Sequence, residues 1–101
     1  MKIVFSARVE ADIACQLQYG IDHFGTVVAA RTFARLDSFL FKFLADYPFA
    51  GRRIDEGGVY EAWIARTLFV VFYKVEPAIG TITVLALFHH AQDRAAFDPS
   101  D

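Results

Sequence analysis

The run LFVVFY, Leu68 to Tyr73, decides the fold. Its six residues are apolar or aromatic without alternation, as expected of a strand covered on both faces, and their β-branched and aromatic character favours strand over helix. Turns are predicted on either side, around Arg66–Thr67 and Glu76–Gly80. Similar runs lie beyond both turns, so the reading extends to three strands, Val59–Arg66, Leu68–Val75 and Ile79–His89, in an antiparallel meander. One face of such a meander can take helices, and the other needs different cover.

Upstream the period changes. Lys2–Ser6 carries Ile3, Val4 and Phe5 and reads as a short first strand. From Val9 the positions Val9, Ile13, Leu17, Gly20 and Phe24 recur at helical spacing. Gly20 on that stripe predicts close approach to a second helix, and Gly25 predicts a left-handed helix cap. Thr26 is the expected N-cap of a longer helix reaching about Tyr47, where Pro48 stops it. Its buried stripe reads Ala29, Phe33, Leu36, Leu40, Phe43, Leu44 and Tyr47, with Arg31, Arg35, Ser38, Lys42 and Asp46 opposite. Phe41 falls among the polar positions and Phe39 at the stripe's edge, so Phe41 either faces a partner or packs under a neighbouring loop. Pro48–Gly58 reads as loop, and the tail from Ala91 as partly helical and then frayed over residues 95–101. The fold class is therefore α+β: an N-terminal strand and a two-helix antiparallel hairpin packed on a mainly antiparallel sheet that ends in the meander.

With 101 residues and no linker-like stretch, the chain fits one domain with one core. The charged residues Arg8, Glu10 and Asp12 come too early for a signal peptide, and no apolar run has membrane-spanning length. A single cysteine, Cys15, rules out an internal disulfide and suits the cytoplasm. At 55% hydrophobic residues with 11 Phe, the chain has more apolar surface than one small core hides, which implies a standing protein partner. A net charge of -2 argues against indiscriminate nucleic-acid binding, though a local basic patch remains open. There is no glycine-rich phosphate loop, paired-cysteine zinc spacing or nucleophile elbow, and neither a cofactor nor a metal is expected.

Four segments, in order and spanning about nine tenths of the chain, carry a family resemblance. They are ADIA at 11–14 with YGIDHFG at 19–25, LADYPFAGRR at 44–53, FVVFYKV at 69–75 and ITVLALFHHAQDR at 82–94. This layout resembles the RelE/ParE superfamily of toxins, closer to the ParE-like, plasmid-stabilisation branch. One departure is that Gln92 precedes Asp93 where many relatives have arginine, and Arg94 follows one position later. The resemblance implies the toxin of a type II toxin–antitoxin pair, held by a cognate antitoxin in an assembly of higher order and acting on DNA gyrase. The alternatives are a RelE-like nuclease that cleaves mRNA on the ribosome, and a binding module that has lost activity.

The residues that would carry these roles can be weighed individually. Arg52, Arg53, Arg66 and Arg94 are expected to gather near the strand ends, against acidic protein or phosphate, with His89 beside them. Were the chain a nuclease, Arg66, His89 and His90 would be its catalytic candidates, since histidine moves protons near neutral pH. Adjacent residues on a strand point to opposite faces, so His89 and His90 do not suit one shared metal ion. Antitoxin contact is expected at Phe39, Phe41, Trp63 and Phe72, although aromatic residues on strands, Tyr60 and Tyr73 included, are more often core.

Overall fold

A computed structural model of the chain describes residues 1–89. Strand β1 (Lys2–Phe5) leads into helices α1 (Ala7–Phe24) and α2 (Thr26–Ser38), and α2 continues as a π-helical segment, Phe39–Leu44. Strands β2 (Arg52–Arg53), β3 (Val59–Trp63), β4 (Phe69–Glu76) and β5 (Thr81–His89) follow. They form a sheet in the order β1-β5-β4-β3-β2, with β1 parallel to β5 and the remaining pairs antiparallel. The α+β architecture, the hairpin and the meander are those expected from the sequence.

The LFVVFY run is buried on both sides once Leu68 is left behind. Val71, Tyr73 and Val75 of β4 face the helices and share a core with Val9, Leu36, Leu40, Leu44, Ile82 and Val84. Val70 and Phe72 point the other way, into a second cluster with Ala86 and Phe88. Five consecutive buried residues, Phe69–Tyr73, explain why alternation is missing from the sequence.

The first helix begins by sealing the edge of β5. The register of β4 and β5 slips between Phe72 and Tyr73, which pair with Ala86 and Val84 and leave Leu85 as the extra residue of a bulge. Ser6 satisfies that bulge and caps α1 at once: its hydroxyl donates to the Leu85 carbonyl (3.0 Å) and accepts the Val9 N–H (3.1 Å). One helical turn on, the Asp12 carboxylate accepts the Leu87 N–H at 3.1 Å. Ser6→Ala should therefore cost about 2 kcal/mol, the sum of a lost N-cap and an unsatisfied, part-buried carbonyl. Urea denaturation checks this, and a wild-type midpoint would show that Ser6 couples nothing.

Several local expectations need correction. Gly25 has φ 87° and ψ 163°, a positive-φ extended conformation instead of a left-handed cap. The chain reverses there in one residue, so Thr26 starts α2 and does not cap it. Gly20 does give close approach, since a Cβ there would meet the Ala29 Cβ at 3.5 Å. Phe43 and Tyr47 are exposed despite their places on the predicted stripe. The π-helical bonds, such as Ala45 N–H to the Leu40 carbonyl, take more residues per turn than an α-helix. Each residue then advances by less than 100°, which turns Phe43 off the core while Leu44 stays on it. Phe41 is half exposed and meets the edge of Phe5 with ring centroids 5.9 Å apart. The Pro48–Gly58 loop contains the edge strand β2, too short for any periodicity to reveal. At the other end of the meander, β5 begins at Thr81 because Pro77–Ile79 form a 3-10 turn. No helix among the described residues is long and apolar enough to cross a membrane.

Candidate functional site

An open groove of about 930 Å³ lies between α2 and the outer edge of the sheet. Arg31 and Arg35 stand one turn apart on α2 and so share a face. Phe39 and Phe43 of the π-helical segment continue that wall. The opposite wall comes from Gly51–Arg52, from Glu61–Trp63 of β3 and from the turn beyond it, ending at Arg66. Among the described residues, four arginines and one glutamate thus border a surface otherwise made largely of alanine and aromatic side chains.

Two backbone devices hold the walls in place. At the lower end Gly51 lies so close to β3 that an added Cβ would sit 2.6 Å from the Glu61 carbonyl oxygen and 2.7 Å from the Tyr73 hydroxyl. The Gly51 N–H donates to that hydroxyl at 3.0 Å. Next to it Arg52 pairs with Glu61 at 3.2 Å; the Glu61 side chain is 12% exposed against 74% for Arg52, so the carboxylate is the fixed member. At the upper end Arg66 adopts φ 64°, and the Arg35 guanidinium donates to the Arg66 carbonyl at 2.9 Å. Thr67 closes the same turn, its hydroxyl donating to Ile64 and accepting from Phe69.

Burial pushes the Tyr73 phenol above the ordinary tyrosine range; the Gly51 N–H opposes that shift and the nearby Tyr60 reinforces it. Unfolded, the phenol ionises near pH 10. Above that pH the unfolded chain releases a proton that the native state keeps, so Tyr73 contributes stability that is present below pH ~10 and lost as pH rises further. Of the four tyrosines, Tyr73 should be the last to ionise in an ultraviolet titration of the phenolate band, and Tyr73→Phe should remove that late step. Four coincident titrations would contradict the burial.

The structure brings together some of the expected site residues and separates others. Arg52, Arg66, Phe39 and Trp63 share the groove. Arg53 does not line it; its guanidinium donates to the Asp55 and Glu56 carbonyls at 2.8 and 3.0 Å and so ties the loop between β2 and β3. His89 lines a separate hollow of about 230 Å³ beneath the helix hairpin, which it shares with Arg66. Its ring stands edge-on to Phe69 at 6.2 Å. Phe72 supplies no surface for a partner: it is 3% exposed and packs edge-on against Phe88. Phe41 lies outside the groove, and His90 and Arg94 lie outside the described residues. Sequence reading assigned Arg31 and Arg35 to the solvated side of α2 and missed Glu61; the only available signal was the i, i+4 spacing of the two arginines.

By sequence, no curated protein matches the chain. Among solved structures, its fold is similar to that of the chromosomal ParDE toxin–antitoxin system from P. aeruginosa, at 17% identity and a TM-score of 0.67 over 88% of this chain and 95% of that one. It is also similar to the RelBE2 toxin–antitoxin complex from Mycobacterium tuberculosis, at 18% identity and a TM-score of 0.65 over 87% and 95%. The isolated E. coli RelE toxin is a third such structure, at 11% identity and a TM-score of 0.57 over 93% and 88%. At these identities the likeness concerns the fold. Residues 3–94 match the family described as ParE toxin of type II toxin-antitoxin system, parDE, and the chain belongs to that family.

Proposed function

We propose that this chain is the toxin of a type II toxin–antitoxin pair, neutralised by a cognate antitoxin, and that it acts in the cytoplasm by binding DNA gyrase and trapping its cleaved-DNA complex. The observation that carries this reading is the groove itself. Arginines set among apolar walls suit recognition of protein, and the one carboxylate that the described residues give it, Glu61, is tied to Arg52. Among the described residues no histidine lines it. The antitoxin half draws support from the family match and from the paired toxin–antitoxin assemblies named among the similar folds. Half-exposed apolar side chains such as Trp63, Phe49 and Leu68 offer a partner surface to cover.

One observation favours the ribosome-dependent nuclease instead: His89 and Arg66 border the same hollow, which puts an acid–base group beside a cation. The two readings separate in parallel assays, supercoiling by purified gyrase and mRNA cleavage in a translating extract. Inhibition of gyrase with intact mRNA is the expected result. Cleavage with unaffected supercoiling would overturn it in favour of the nuclease, and harmless induction in growing cells would leave an inactive binding module.

A further inference from the structure

We propose that the hollow beneath the helix hairpin binds a small amphipathic carboxylate, an aryl or medium-chain alkyl acid whose apolar body seats among Tyr19, Phe24, Phe33 and Leu68 and whose head group meets the Arg66 guanidinium. The proposal rests on neither reading of the toxin's target. The hollow exists because its helical wall is nearly bare where α1 and α2 meet. An added Cβ at Gly20 would stand 3.5 Å from that of Ala29, and neither residue carries a side chain long enough to fill the space beside the start of β4. The volume, about 230 Å³, exceeds that of an engineered apolar cavity of about 150 Å³ that holds benzene. Tyr19, Phe24, Val28 and Leu68 on its rim are between 45% and 62% exposed. Covering them takes apolar surface out of water, at about 25 cal/mol per Å².

The polar groups of the hollow select the head group. The Thr32 hydroxyl donates to the Val28 carbonyl at 3.0 Å and that of Thr67 to the Ile64 carbonyl at 2.8 Å, so both protons are already committed to the backbone. Arg66 supplies a permanent positive charge in the planar form that matches a carboxylate. Its main chain is held at φ 64° by the Arg35 bond to its carbonyl, which fixes where the side chain leaves the turn. His89 borders the same space, and among the described residues no carboxylate lines it. An apolar enclosure with one cationic end favours an acid over an amine or an alcohol of the same shape. Asp93, Asp98 and Asp101 lie beyond the described residues and are rival carboxylates that a test must separate from a ligand.

The full chain, isotopically labelled, is titrated with three probes of one shape, phenylbutyrate, phenylbutanol and phenylbutylamine, and followed by amide chemical shifts. Phenylbutyrate should move the amides of Gly20, Ala29 and Phe69 and bind at least about tenfold tighter than the other two, the margin expected of a charge-assisted Arg–carboxylate bond. Arg66→Gln keeps the Arg35 bond, which is made to the main chain, and should bring the acid down to the level of the alcohol while circular dichroism stays native. Leu68→Glu, at a side chain already 54% exposed, should weaken the acid and spare the amine. Equal affinity for the three probes, shifts confined to the groove, or undiminished binding of the acid in either variant would overturn the proposal. A variant with Asp93, Asp98 and Asp101 all changed to Asn is titrated in parallel. Binding of phenylbutyrate to that variant and not to the wild type would also overturn it, by showing that the chain's own acids hold the site, whereas binding to both is the expected result.

Discussion

Gly51→Ala should lower the stability of the domain by about 3 kcal/mol, the upper range for forcing a methyl group into a closed site. The conformational freedom of glycine is not at issue, because the obstacle is space. An ideal Cβ at this position would lie 2.6 Å from the Glu61 carbonyl oxygen and 2.7 Å from the Tyr73 hydroxyl. The first obstacle is backbone within a hydrogen-bonded strand, and the second belongs to a side chain that is 0% exposed in the main core. Neither can move cheaply, so β2 must part from β3 and carry Arg52 away from Glu61 and the groove. For a domain of this size the melting temperature should fall by roughly 15 °C. Tyr73→Phe alone should cost about 1 kcal/mol, since it leaves the Gly51 N–H without its acceptor. Combined with Gly51→Ala, however, it removes one of the two collisions, so the double variant should lose less than the sum of the single ones. An alanine variant that melts with the wild type would mean that β2 does not lie where the structure puts it.

That contact also marks where the sequence stops being readable. The stretch from Leu68 to Tyr73 announces its own burial, because a strand covered on both faces needs apolar residues at every position. The α1 stripe from Val9 is equally plain, since the helix keeps its period along its length. Arg52 and Arg53 form a two-residue strand whose place is set by the Glu61 ion pair and by the absence of a side chain at Gly51, and neither has a periodic signature. The candidate site was legible to a similar degree. Arg52 and Arg66 stood out as loop and turn cations, whereas Arg31 and Arg35 look like ordinary solvated helix residues until β3 is laid opposite them. Phe72 looked available to a partner only because the sequence could not show that Phe88 packs across it. Pairings between distant parts of the chain create the groove, and local patterns record only one side of each pairing.

Leu44→Ala should cost about 3 kcal/mol, while Phe43→Ala, one residue earlier, should cost no more than about 1 kcal/mol. Leu44 is 0% exposed and packs into the main core with Val9, Leu36 and Leu40; Phe43 is 42% exposed and meets Phe39 and Tyr47 at ring-centroid distances of 5.4 and 5.3 Å. A continuous α-helix from Thr26 would place Phe43 seven residues after Leu36, almost in line with it on the buried stripe, and both truncations would then open cavities. The i→i+5 turns of Phe39–Leu44 separate the two residues instead. Leu44 keeps the core contact, and Phe43 swings to the groove wall beside Phe39. Phe43→Ala should therefore weaken binding of a partner segment more than it weakens the fold, a combination that chemical denaturation and a binding assay on the same variant can separate. Equal destabilisation by the two substitutions would show that α2 runs on without widening, and the groove would then lose its aromatic wall.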